Sequence, residues 1–397
     1  MQSDVLVIGA GPAGISAALA AAEATSVTVV DDNPAPGGQI WRAESNARMA
    51  QFASANITRI HGARVFAQPE PGVVLAESGG KAIELRHGTL ILATGARERF
   101  LPFPGWTLPH VTGAGGLQAL VKGGLPIAGK RIVVAGSGPL LLVVAAFLRK
   151  HGALVPFIAE QATRAKLASF ALAVARQPAK VAQAALLKWQ LRGVPYLHSA
   201  WPVAATNGAV TINTGRKEPC DYLACGFGLV PNTELASLIG CDIANSFVRV
   251  DTYQQTSIAN VYCAGEPTGI GGVDAAIIEG QIAGYAATGR AARADVLLSK
   301  RDAAKRFELA LDRAFTLRPE LRELAQADTI VCRCEDVPLS RIASAESWRE
   351  AKLHTRCGMG PCQGRVCGPA VDFIKGWPPE SVRPPAFPVS VATLIGD

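Results

Sequence analysis

Apolar residues in this chain fall in short runs that end at glycine and are followed by alanine- or leucine-rich stretches of helical length. The first run, Ser3-Asp-Val-Leu-Val-Ile, enters Gly9-Ala-Gly-Pro-Ala-Gly14 and then an alanine-rich segment to about Glu23. This pattern predicts a strand, a tight turn and a helix. Ser26-Val-Thr-Val-Val predicts a second strand, ending at Asp31 and Asp32. Residues 132–148 form the longest apolar stretch, but Gly136, Ser137, Gly138 and Pro139 interrupt it. It therefore reads as another strand, turn and helix and not as a membrane span of about 20 residues. A strand over 153–158 follows. Residues 161–192 set alanine and leucine against Arg164, Lys166, Arg176, Lys180 and Lys188, which predicts an amphipathic helix pair, divided at Pro178, with a solvated basic face. A charged helical linker is expected over 291–326 and a proline-rich, extended end over 377–388. Strands alternating with helices place the fold in the α/β class.

Gly9, Gly11 and Gly14 have the spacing of a dinucleotide-binding turn. Gly9 permits the tight turn, Gly11 lets the backbone approach a pyrophosphate, and Gly14 allows close helix packing. The helix start at Pro12 and Ala13 offers free N–H groups and a positive dipole end to phosphates. Asp31 lies 20 residues beyond Gly11, where an acid accepts hydrogen bonds from an adenosine ribose. Asp32 is its neighbour, and one of the two is expected to be a solvated charge. The second turn keeps Gly136 and Gly138 but carries Leu141 where the third glycine would stand, and Glu160 ends the strand after it. A working NAD site and a fold retained without its nucleotide are both consistent with these residues.

Five of the nine cysteines lie at the C-terminal end, as Cys332-Arg-Cys334 and as Cys357, Cys362 and Cys367 among Gly358, Gly360 and Gly364. A C-x-C turn with a C-x4-C loop suits four thiolates around an iron–sulfur cluster. Structural zinc sites favour repeated C-x2-4-C knuckles, so zinc and disulfide pairing are the weaker alternatives. Cys220, Cys225, Cys241 and Cys263 stand singly among apolar residues, as buried free cysteines do. No C-x2-C dithiol is present, and the six scattered histidines nominate no catalytic base. The start of the chain lacks the basic region and cleavage site of a signal peptide. A reducing, cytoplasmic location is therefore expected.

Composition adds two constraints. Charged residues make up 18% of the chain, below the roughly 25% usual for soluble domains, which suits a chain that buries surface in an assembly. The formal charge of +7 raises nucleic acid as a partner, but Lys and Arg are dispersed and aromatics are 6%, so anionic cofactors or an acidic partner are the expectation.

Two further segments, Leu90-Ile-Leu-Ala-Thr-Gly-Ala and Asn260-Val-Tyr-Cys-Ala-Gly-Glu, complete an order that resembles the flavoprotein reductases with two dinucleotide domains. The resemblance implies FAD near Ala93, Thr94 and Gly95, its ribityl chain at Gly265 and Glu266, and its ring near Gly272, Val273 and Ala276. Pro36-Gly-Gly-Gln-Ile-Trp-Arg42, Cys225-Gly-Phe-Gly-Leu-Val-Pro-Asn and the tail Arg356-Cys-Gly-Met-Gly-Pro-Cys-Gln-Gly-Arg-Val-Cys367 narrow it further. Together they are similar to the alpha subunits of heteromeric amine dehydrogenases, which include D-hydroxyproline and L-proline dehydrogenases, opine oxidases and hydrogen cyanide synthase. Gly38, Gln39 and Arg42 then join the FAD site.

That resemblance implies an FAD domain over 1–111 and 235–290, a second nucleotide domain over 112–234, the linker, and an α-rich [2Fe-2S] domain with its tail over 327–397. Related tails carry alanine at the place of Cys357, which makes Cys332, Cys334, Cys362 and Cys367 the implied ligands; the rival set has Cys357 in place of Cys367. The implied activity is electron transfer for a glycine-oxidase-like, flavin-containing beta subunit that oxidises an amino or imino acid. An FMN at the subunit boundary and a small third subunit belong to the same picture, as does a peripheral place at the membrane through the complex. A self-sufficient NAD(P)H-dependent reductase feeding the cluster is the alternative.

Overall fold

In a computed structural model, which describes residues 1–378 and 382–395, the chain divides into two compact units. The first is built from Met1–Arg97, Pro231–Leu309 and the described residues of the tail, and the second from Glu98–Val230 with the segment from Ala310 through 378. Residues 327–378 of the segment expected as a cluster domain thus fall in the second unit and its tail in the first.

The first unit is organised by the strand Gln2–Ile8, which lies parallel between Val27–Asp31 and the end of Lys81–Leu92, with Val5 opposite both Val27 and Thr89. Thr58–His61 extends the parallel part on one side, and Val261–Cys263 pairs with Leu90, Ile91 and Leu92. Val5, Val7, Val29 and Ile91 are buried on one face of the sheet and Leu6, Ile8, Val30 and Leu90 on the other, as parallel strands covered on both sides must be. The rest is an antiparallel meander of Ala63–Glu70, Val73–Ser78 and Lys81–Leu92. From the tail, the Ala386 N–H donates to the Phe66 carbonyl at 2.7 Å, and the Ser390 N–H and Thr393 hydroxyl donate to Glu77 Oε1 at 2.9 and 2.7 Å. From Ala386 on, the tail therefore packs back on its own unit; residues 379–381 of the expected extended end lie outside the described residues.

The alanine-rich helix runs Pro12–Ala22, with Glu23 at its C-cap. It packs against the helix Gly272–Ala287 through Ala13, Ala17, Ala20, Gly280 and Gly284. A Cβ on Gly280 would fall 2.2 Å from the Ala13 carbonyl oxygen, and one on Gly284 2.3 Å from that of Ala17. The two backbones touch there, so the small residues are a steric requirement.

The second unit holds a parallel sheet in the order Tyr196–His198, Ile158–Glu160, Ile132–Ser137, Tyr222–Phe227, Val111–Thr112. An antiparallel sheet of Pro202–Thr206, Ala209–Ile212 and Lys217–Pro219 belongs to it. The basic stretch forms two helices, Arg164–Ala175 and Pro178–Gln190. Pro178 opens the second, where its missing N–H has no helical partner to lose. The expected linker is the helix Ala291–Phe315 and a short 3-10 turn, Pro319–Glu323. Beyond it, Ile330–Cys332 pairs with Val337–Pro338, and helices Trp348–Thr355 and Cys367–Lys375 pack around Val331, Ile342, Trp348 and Val371. Among the described residues, no helix is long and apolar enough to cross a membrane.

The helix contact generates a test. Gly284→Val places a branched side chain against the Ala17 carbonyl, and urea unfolding should show a loss of about 1–3 kcal/mol, whereas Val at Gly208, which meets no atom within 4 Å but has a positive φ, should lose only the smaller backbone term.

Candidate functional site

Gly9 adopts φ +105°, and a Cβ there would fall 2.3 Å from the Ala93 carbonyl oxygen. One on Gly14 would fall 1.8 Å from the Gly9 carbonyl oxygen. Gly11 caps the helix without a side-chain hydrogen bond, and across from it stands Gly38, whose Cβ would approach the Gly11 Cα at 3.0 Å. This leaves a cradle of bare backbone at the helix N-terminus, the arrangement that receives a pyrophosphate. Asp31 is buried; its Oδ2 accepts from the Ala10 N–H at 2.5 Å and its Oδ1 from the Asn33 N–H at 2.7 Å. Asp32 points outward to Arg64 at 3.3 Å. Asp31 is thus the acid at the turn and Asp32 a solvated charge. Arg42 donates to Asn33 Oδ1 at 2.7 Å, while Gln39 is exposed.

The same end of the sheet gathers the other expected residues. The Thr94 hydroxyl donates to the Asn232 carbonyl at 2.6 Å, and Asn232 Nδ2 returns a bond to the Thr94 carbonyl at 2.9 Å. A Cβ on Gly95 would lie 3.7 Å from Glu266 Oε2, so the two segments meet. Burial pushes the Glu266 carboxyl up. Gly272, Val273 and Ala276 form the start of the helix behind them. Sequence reasoning missed Glu279, which follows two isoleucines in the same helix and whose Oε2 accepts from the Gly265 N–H at 2.9 Å and the Thr268 hydroxyl at 3.0 Å. Burial pushes its carboxyl up to about 7.

The second turn repeats this geometry with a different outcome. A Cβ on Gly136 would fall 1.8 Å from the Gly226 carbonyl oxygen, while Gly138 faces open space. Leu141 is buried in the core under the turn. Glu160 is 0% exposed; it accepts from the Gly138 N–H at 2.7 Å and the Ala162 N–H at 2.9 Å, and burial pushes it up to about 7. The Tyr196 hydroxyl also bonds to it. Ser137 Oγ donates to the Phe315 carbonyl at 3.2 Å, Gln161 Nε2 to Ser137 Oγ at 2.9 Å, and the Arg318 N–H to Gln161 Oε1 at 3.2 Å. The segment from Phe315 to Arg318 therefore lies on the crest of this turn. Glu98, also missed, fills a further anion position, accepting from the Gly115 and Gly116 N–H groups at 2.8 and 2.9 Å at a helix N-terminus.

All nine cysteines are free. Cys332 ends a strand, Cys367 starts a helix, and the loop between Arg356 and Cys367 turns through Gly358 and Gly364, both at φ +79° and both against Trp348. A Cβ on Gly360 would fall 2.3 Å from that of Cys334. Cys332, Cys334, Cys362 and Cys367 line one cavity of about 280 Å³ with Phe100, Arg333 and Val366. Cys357 is fully buried and does not line it; its sulfur lies within 4.8 Å of those of Cys332 and Cys367. The Gly358 N–H donates to Cys332 Sγ at 3.4 Å. Hydrogen bonds from Cys357 and Cys367 draw the Cys332 thiol down, and one from Cys367 draws Cys362 down to about 5. Soft sulfur donors converging on a small cavity fit an iron–sulfur cluster, with Cys357 behind the four that face it. Cys220, Cys225, Cys241 and Cys263 are buried elsewhere, and burial pushes the Cys220 thiol up to about 11.

A family model for pyridine nucleotide-disulphide oxidoreductases matches residues 3–296. The chain is 32% identical to an opine oxidase subunit of Rhizobium meliloti (strain 1021), over 98% of both chains. It is 30% identical to hydrogen cyanide synthase subunit HcnB of Pseudomonas aeruginosa, over 91% of this chain and 90% of that one. Its fold is similar to that of L-proline dehydrogenase from P. horikoshii, with a TM-score of 0.69 at 19% identity, covering 99% of this chain and 79% of that one.

Glu279 gives a test with a definite sign. Its folded value, about 7, lies above the ordinary 4.5, so its contribution to stability is whole below about pH 4.5 and is lost as pH rises through about 7. Glu279→Gln keeps an acceptor for the Gly265 N–H and should remove this fall, which amounts to about 3 kcal/mol at most, from the urea-unfolding profile across that window.

Proposed function

The chain belongs to the pyridine nucleotide-disulphide oxidoreductase family, and on that premise we propose that it is the FAD- and [2Fe-2S]-carrying electron-transfer subunit of a heteromeric dehydrogenase or oxidase whose partner oxidises an amino or imino acid. It is an oxidoreductase, and its relatives support a flavoprotein. The observation that carries the finer reading is the single cavity faced by Cys332, Cys334, Cys362 and Cys367.

In this reading Gly9, Gly11, Pro12, Ala13 and Gly14 hold the FAD pyrophosphate, and Asp31, fixed by Ala10 and Asn33, orients the adenosine ribose. Gly38, Gln39 and Arg42 cover the turn. Ala93, Thr94 and Gly95 with Gly265 and Glu266 seat the ribityl chain, and Gly272, Val273 and Ala276 the ring. FAD and a [2Fe-2S] cluster, when bound, turn a two-electron supply into single-electron steps. The chain's part is to bind, orient and exclude water, and it assigns itself no substrate base. The substrate site then belongs to a flavin-containing, glycine-oxidase-like beta subunit, with FMN at the boundary and a small third subunit completing the assembly. The names of the two relatives as subunits support an assembly, and the proposed location is cytoplasmic.

A second reading, a self-sufficient NAD(P)H-dependent reductase, is favoured by the family match running through Gly136 and Gly138. Leu141 in place of glycine and the seat of Phe315–Arg318 on that turn weigh against it.

Two measurements test these readings. Anaerobically purified chain should contain about two irons and two acid-labile sulfides; Cys362→Ser or Cys334→Ser should abolish them and Cys357→Ser should not. Zinc in place of iron removes the relay argument, and loss with Cys357→Ser but not Cys367→Ser reverses the ligand set. NADH or NADPH added without oxygen should leave the flavin absorbance unbleached, whereas rapid bleaching establishes the reductase.

A further inference from the structure

The helices Arg164–Ala175 and Pro178–Gln190 take no part in the sites above, and neither has a buried side chain. Leu172 is 65% exposed, Leu186 54% and Trp189 68%. Clustered exposure of large apolar groups marks a contact surface. The charge is as one-sided as the exposure. Residues 161–192 hold six Lys and Arg and no Asp or Glu, a net charge of +6. The exposed apolar groups therefore sit among cations that no acid of the segment offsets.

The base of the hairpin is fixed. Arg164 donates to the His198 ring, Lys166 Nζ to the Thr316 carbonyl at 3.3 Å, and Phe170 stands edge-on to Phe315 at 5.2 Å. On the second helix Leu186 and Trp189, spaced i and i+3, share one face, with Val181 and Lys188 beside it. The two helices supply 12 and 13 residues, together about the 20–30 that one side of a standard interface uses.

We propose that this basic, apolar hairpin docks a second polypeptide that presents an apolar groove rimmed by carboxylates, and that it is the surface holding the flavin-bearing partner; this rests on the relay reading above. A groove fits better than a lipid surface because Leu167, Phe170 and Val174, spaced i, i+3 and i+7, form a half-buried stripe on the side of Phe315, which leaves separate exposed anchors such as Leu172, Leu186 and Trp189 and no wide apolar face for a membrane. The absence of acids selects a partner of opposite charge and penalises basic ones.

The test uses the full chain, tagged and isolated with its native assembly. Leu186→Asp/Trp189→Asp and Lys180→Glu/Lys188→Glu are compared with the unaltered chain. In the unaltered assembly a second, flavin-bearing polypeptide should accompany the chain, and amides 164–190 should exchange more slowly than in the chain alone. Each double variant should weaken assembly by about tenfold or more while keeping its melting temperature and its own flavin absorbance. The charge variant should also flatten the salt dependence. Assembly of both variants as tight as that of the unaltered chain overturns the proposal. So does protection of 164–190 by phosphatidylglycerol vesicles or by self-association of the isolated chain in place of the partner. A chain that accompanies no second polypeptide, yet has its irons, overturns the relay reading together with this surface; a partner retained by both variants overturns the surface alone.

Discussion

The fold depends on backbone passing backbone with no side chain between. At Gly9 the chain runs so close to the Ala93 carbonyl that even a methyl group has no room, and at Gly136 the same holds against Gly226. Each contact joins the end of a central strand to the next strand of a parallel sheet, and each aims the following helix at the strand ends. In the first unit, Gly14, Gly280 and Gly284 carry the constraint onward through two helices in direct contact. Binding geometry and packing geometry are therefore one requirement there: a residue that spoiled the turn would also displace the helix behind it.

Much of this was legible in the sequence because the constraint selects residue types at fixed offsets. Glycine at 9, 11 and 14 and an acid at 31 leave few foldings other than the one found, and Asp31, not Asp32, is the buried member of the pair. The cysteines were legible as a group by element and spacing. Their arrangement was not, because which thiols face the cavity depends on how the loop before Cys367 wraps Trp348. Glu279 was hidden for a similar reason: an acid within an alanine-rich helix looks like a surface charge until the Gly265 N–H is found above it.

The two glycine turns share one geometry and differ in what lies over them. Asp31 and Glu160 are held in the same way, by an N–H of the turn and an N–H two residues further on. What differs is non-local. Ser137 and Gln161 are committed to a segment more than 150 residues away in sequence, and no local motif records that. Among the described residues, a Cβ on Gly11 would meet the Gly38 Cα alone, at 4.0 Å.

The tail carries one more consequence. Ala63–Glu70 is an edge strand of the first unit's sheet, and such a strand offers its free carbonyls and N–H groups to any other extended chain. The Ala386 N–H occupies the Phe66 carbonyl, and Ser390 and Thr393 anchor the tail on Glu77 of the neighbouring strand. The tail from Ala386 to Thr393 thus acts as a selvedge: it keeps the sheet from being extended strand by strand into neighbouring molecules, a protection against aggregation that needs no ligand.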